Sequence, residues 1–148
     1  MAAGERIGLD LRSHRSRVID APMLAAADLV VTMEQRHVLE VATVLPEAFN
    51  WAFTLPDLVQ RSEAAGPRAD RDLRRWLTAI DDPKRRAQIL RFTPDLEVPD
   101  PMGGTKRTFR RCTELLVDLV DRFMAVTWPE DLSTREHGAS ARPVPGSS

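Results

Sequence analysis

One run of five residues, Leu29-Val30-Val31-Thr32-Met33, constrains the fold more than any other stretch. It is apolar and β-branched, without the polar alternation of a half-exposed strand. Such a run reads as a strand buried on both faces, the habit of parallel sheets covered by helices. Helical spacing begins almost at once. Val38, Val41, Ala42 and Leu45 fall at i, i+3, i+4 and i+7, and Pro46 limits the run. A strand passing straight into a helix is half of a βαβ unit, so the expected class is α/β.

The remaining elements follow from the same periodicities. Phe49 to Leu55 reads as a second strand, stopped by Pro56, and Ser62 to Asp70 reads as a loop around Ala-Ala-Gly-Pro. Asp70 is a candidate cap for the next helix, where Leu73, Trp76, Leu77 and Ile80 repeat the helical spacing until Asp81-Asp82-Pro83. Lys84 to Arg91 predicts a further short helix, and Leu96 to Gly104 a loop. The last helix is expected from about Lys106 to Val126, capped by Thr105. Its expected core face is Phe109, Cys112, Leu116, Leu119, Val120 and Phe123, and Trp128-Pro129 ends it. Residues 1–128 are expected to form one incomplete domain, and the Ser-, Gly- and Pro-rich residues 129–148 a disordered tail. Two strands are few for a parallel sheet that must hide its faces and its edges.

Composition removes several function classes. The 21 basic and 22 acidic residues nearly cancel, which argues against a nucleic-acid partner bound through excess charge. All the basic residues but Lys84 and Lys106 are arginines. No run approaches the ~20 apolar residues of a membrane span, and the N-terminus lacks a secretory apolar core. The expectation is a cytoplasmic protein with no membrane partner. The single cysteine, Cys112, excludes an internal disulfide and a multi-thiolate metal site. His14, His37 and His137 lack metal-ligand spacing, and no cofactor is implied.

Four features bear on chemistry. In Val98-Pro99-Asp100-Pro101-Met102-Gly103-Gly104, two prolines pin the backbone around Asp100 and two glycines let it turn into a helix. A carboxylate on such a stiff loop can deliver a proton to a leaving group, although Asp-Pro also simply starts turns. Arg12, His14, Arg15 and Arg17 could meet a phosphate, but no glycine-rich cradle accompanies them, and such runs are more often solvated turns. Cys112 falls on the apolar face of the last helix, and six places after it stands Asp118 where a Cys-x5-Arg phosphate loop needs arginine. Cys112 therefore reads as a core residue. Trp51, Trp76 and Trp128 are spaced as core or element-end residues.

Three stretches taken in order, Gly8-Leu9-Asp10-Leu11-Arg12-Ser13-His14-Arg15-Ser16-Arg17, Ala27-Asp28-Leu29-Val30-Val31-Thr32-Met33-Glu34 and Val98 to Gly104, resemble the low-molecular-weight protein tyrosine phosphatase family. The resemblance covers about Met1 to Phe123. It implies a three-layer fold, a four-stranded parallel sheet with helices on both faces. It also implies a Cys-x5-Arg-Ser loop after the first strand, whose thiolate attacks the phosphoryl group. Asp100 matches the late aspartate that protonates the leaving phenolate and later activates water. The substrate implied is a phosphotyrosine protein or a small aryl phosphate. Met102 stands where tyrosine is common.

The chain departs from that pattern at its decisive point, because the first two strands and the phosphate loop have no counterpart in it. The leading expectation is thus a truncated phosphatase, inactive as given, since a general acid without its nucleophile leaves almost no rate enhancement. The alternative is a pseudophosphatase, a binding or regulatory module that covers its bare strand edge by self-association or with a partner. A related thiol-dependent arsenate reductase needs several redox cysteines, which Cys112 alone cannot supply.

Overall fold

The computed structural model describes residues 16–68 and 72–129. It is a mixed helix and sheet structure. The order is α1 (Ala21–Ala26), β1 (Val30–Thr32), α2 (Gln35–Val44), a 3-10 turn (Pro46–Trp51), β2 (Ala52–Thr54) and α3 (Leu55–Ala65). There follow α4 (Leu73–Ile80), α5 (Arg85–Leu90), a second 3-10 turn (Pro94–Leu96) and α6 (Lys106–Thr127). Strands β1 and β2 pair in parallel, Val30 with Ala52, Val31 with Phe53 and Thr32 with Thr54. The β1–α2–β2 crossover anticipated at Leu29–Leu45 is therefore present.

Two cores flank the strands. Adjacent residues of β2 point to opposite faces, and Ala52 enters one core while Phe53 enters the other. Ala52 joins Leu24 of α1, Val38 and Val41 of α2, Phe49 of the 3-10 turn, and Ile89 of α5. Phe53 joins Leu58 and Val59 of α3, Trp76 and Leu77 of α4, Val98, and Leu119 and Phe123 of α6. Alternation along three residues is thus enough to assign the helices to two layers.

Several expectations need correction. The second strand is shorter than Phe49–Leu55, because Pro46 opens a 3-10 turn that runs to Trp51. Pro56 does not stop an element. It lies in the first turn of α3, where a missing N–H costs nothing, and the Thr54 hydroxyl accepts from Asp57 N at 3.4 Å. Helix α3 consequently reaches Ala65, and only its far end at Gly66 (φ +80°) begins the anticipated loop. The cap of α4 is Asp72, whose carboxylate accepts from Arg75 N at 3.1 Å, while Asp70 lies outside the described residues. Strand β1 is not buried on both faces, since Val31 is 41% exposed. Among the described residues the sheet has two strands only, and Val31 is left substantially open to solvent. On α6, Leu119 and Phe123 are buried and Cys112 and Leu116 partly so, but Phe109 and Val120 are exposed. Residues 130–148 lie outside the described residues.

Candidate functional site

The segment that carries Asp100 is fixed at both ends. On its near side Val98 is buried, and its N–H donates to the carbonyl of Met33 at 2.9 Å, just past the last residue of β1. The loop thereby meets the carboxyl end of the parallel pair, the edge at which open α/β sheets build ligand sites. On its far side Gly104 N donates to Pro101 O at 3.0 Å, and Thr105 caps α6 by accepting from Thr108 N at 3.3 Å. The two glycines have separate reasons. Gly103 has φ +80°, which a side chain resists, and a Cβ on Gly104 would lie 2.9 Å from Thr108 Cβ and Cγ2.

Asp100 itself is exposed at the crown of this loop. Its Oδ1 accepts from Met102 N at 2.9 Å, an Asx turn that fixes the carboxylate over the chain reversal. Asp100 starts a turn, and its carboxylate faces solvent beside the sheet edge. Met102 is largely exposed.

A groove of about 420 Å³ adjoins the loop, lined by Pro99, Arg107, Thr108, Arg111, Cys112 and Leu115. Cys112 is partly buried and packs against the Phe53 core, with its Sγ 3.6 Å from Pro99 O. The core reading of this thiol is thus only partly met, because one side of it lines the groove. It stands in the second turn of α6, with no arginine loop around it.

The other sequence candidates are not brought to this place. Arg12, His14 and Arg15 lie outside the described residues, and Arg17 is exposed. His37 lines a separate groove with Val18, Ile19, Thr32, Glu40 and Val44. The three tryptophans are structural. Trp76 is buried, Trp51 Nε1 donates to Leu24 O at 3.2 Å beneath the Arg74 guanidinium, and Trp128 meets Phe123 edge-on at 5.9 Å.

The strongest electrostatic feature escaped the sequence reading altogether. Arg85 is fully buried and donates from Nε to Asp57 Oδ2 at 3.0 Å, from Nη1 to Phe49 O at 2.9 Å and from Nη2 to Ala52 O. It also stacks on Phe53 and Phe49, at 3.8 and 4.4 Å from their ring centres. Arg61 holds the other oxygen of Asp57 at 2.7 Å. Burial pulls the Arg85 pKa below the usual arginine value, partly offset by the Asp57 and Asp81 carboxylates. Every member is partnered within the fold, so the network ties α3, α5 and β2 together. It is scaffold for the sheet, remote in role from the open loop. The available signal was an Asp three residues after a Thr-x-Pro helix start, four residues before an arginine.

Among the described residues no group of three His, Cys, Asp or Glu side chains could hold a metal ion, and no helix is long and apolar enough to cross a membrane. Comparisons with protein-family models, with curated proteins and with solved structures found no match to this chain.

Proposed function

We propose that this chain is the portion of a low-molecular-weight-type phosphomonoesterase that follows the phosphate loop, with Asp100 as its proton donor. The observation that carries the reading is the hydrogen bond from Val98 N to Met33 O. It brings a proline-pinned, solvent-facing carboxylate to the carboxyl end of a parallel β–α–β pair. A phosphate ester bound at that edge would present its leaving oxygen to Asp100. As the P–O bond breaks, the carboxylic acid gives its proton to the departing phenolate. The resulting carboxylate then takes a proton from the water that attacks the phosphoenzyme. The thiolate and the phosphate-binding arginine belong to residues that this sequence does not contain. In this reading two further parallel strands continue the sheet beyond β1, with helices on both of its faces. The substrate is a phosphotyrosine protein or a small aryl phosphate, met in the cytoplasm without a cofactor.

The test is the intact mass and N-terminal peptide of the protein from its native source, paired with an aryl phosphate assay. A heavier species with a Cys-x5-Arg peptide ahead of Met1, losing ~10²–10⁴-fold in kcat on Asp100→Asn, supports the reading. A species of these 148 residues that hydrolyses nothing favours the alternative of a binding module without catalysis.

A further inference from the structure

Helix α6 is the longest element among the described residues, and it carries more than one apolar face. Its inner face holds Cys112, Leu116, Leu119 and Phe123 against the Phe53 core. A second stripe runs beside it through Phe109, Thr113, Val117, Val120 and Met124, at spacings of four, four, three and four residues. At 3.6 residues per turn these positions share one side of the helix. Phe109, Val117 and Val120 are 44%, 55% and 45% exposed. Each is thus left about half open to solvent, and a run of apolar side chains exposed along one helix side is a surface suited to association.

The charges along the open flank of the stripe say what fits there. Lys106 and Arg110 stand at its N-terminal end, with Glu114 and Asp121 farther along. None of the four is in an ion pair or side-chain hydrogen bond among the described residues. They are not spent on α3, whereas Arg122, on the helix's other side, is bonded to Glu63 and Asp118. Two cations followed by two anions along one seam make the face complementary to itself when reversed. Antiparallel contact sets Lys106 and Arg110 of one copy against Asp121 of the other. Parallel contact would set like against like.

We propose that the outer stripe of α6 is a self-association surface, on which a second copy of this chain docks its own α6 antiparallel about a two-fold axis. The contact is isologous and closes at two copies, which distinguishes it from open-ended pairing along the edge of β1. It uses neither Asp100 nor a phosphate loop, so a monomeric chain would overturn it and leave the phosphatase reading standing.

Sedimentation equilibrium of the purified chain tests it. The expected mass rises with concentration from 16.6 kDa towards twice that value and no further. Val117→Asp with Val120→Asp keeps the far-ultraviolet circular dichroism and weakens the dimer by at least about tenfold, since both side chains are outside the core. Arg110→Glu alone and Asp121→Arg alone each weaken it, and the two together restore it, a rescue that mere surface stickiness would not give. A chain monomeric at every concentration overturns the proposal. So does an assembly that grows past two copies, one unaffected by the double aspartate variant, or one that Val31→Lys abolishes instead.

Discussion

Two aspartates divide the molecule into a region that is locked and a region that is open. Asp57 is buried on α3, and both of its oxygens are held by guanidinium groups, Arg61 on one and Arg85 on the other. Asp100 is exposed on a loop, and one of its oxygens accepts a single backbone N–H. The first arrangement satisfies a charge so fully that it can only be structural. The second leaves a carboxylate in contact with solvent while its backbone is pinned by Pro99, Pro101 and the bond from Val98 to Met33. Chemistry with an outside molecule is available only to the second.

The comparison breaks most sharply at Arg85. Arg85→Met removes the cation from Asp57 and the donors from the carbonyls of Phe49 and Ala52, all inside the fold. Removing one partner of a buried pair typically costs ~3–5 kcal/mol, so the denaturant midpoint should fall by a large part of the total stability. Arg85→Lys should recover little, because one ammonium cannot span Asp57, Phe49 O and Ala52 O in the plane of a guanidinium. An urea midpoint for either variant equal to the wild type would show that the network is dispensable.

Neutralising the open aspartate should do almost nothing to stability. Asp100→Asn keeps the Oδ1 acceptor for Met102 N, and its change in unfolding free energy should stay within about 0.5 kcal/mol. The loop itself is more sensitive. Gly104→Ala sets a Cβ 2.9 Å from Thr108 and 3.0 Å from Pro101 O, a crowding that costs ~1–3 kcal/mol and displaces the α6 cap. Thr105→Ala should lose about 1 kcal/mol through the cap alone. The two can be separated by amide exchange at Thr108, which Thr105→Ala should accelerate without disturbing the turn at Asp100. Protection unchanged by Thr105→Ala would mean that the cap contributes little.

These contrasts also explain what could be read from the sequence. The crossover was legible because Leu29–Met33 is an unbroken apolar, β-branched run and Val38–Leu45 keeps the helical spacing. The loop around Asp100 was legible because proline and glycine act on the backbone locally. Helix α3 was hidden by Pro56, which ends most helices but is at home in a first turn, and by too narrow an apolar stripe beyond Val59. The Arg85–Asp57 pair was hidden for a different reason. Its partners are 28 residues apart, and in a chain so rich in arginine no single one stands out before folding brings it against a carboxylate. Phe109 and Val120 were assigned to the core because a period locates a face, whereas burial depends on whether something lies opposite it.

A third carboxylate, intermediate between the two, supplies the smallest effect. Glu63 at the end of α3 receives two hydrogen bonds from Arg122 of α6, each 2.8 Å, and these hold its pKa below the usual glutamate value. A carboxyl whose pKa is lower folded than unfolded adds stability above the unfolded value, and that contribution disappears as pH falls through the folded one. The pair therefore supports the α3–α6 packing at neutral pH and is lost in acid. Both side chains are about 40% exposed (39% for Glu63 and 43% for Arg122), so water and salt keep its worth below about 1 kcal/mol. Glu63→Gln should lower the urea midpoint slightly at neutral pH and leave it equal to the wild type once glutamates are protonated. Raising the salt concentration should shrink the neutral-pH difference as well. A gap between variant and wild type that persists in acid would assign the effect to packing instead of charge. Glu63 would then belong with the locked interior that Asp57 represents.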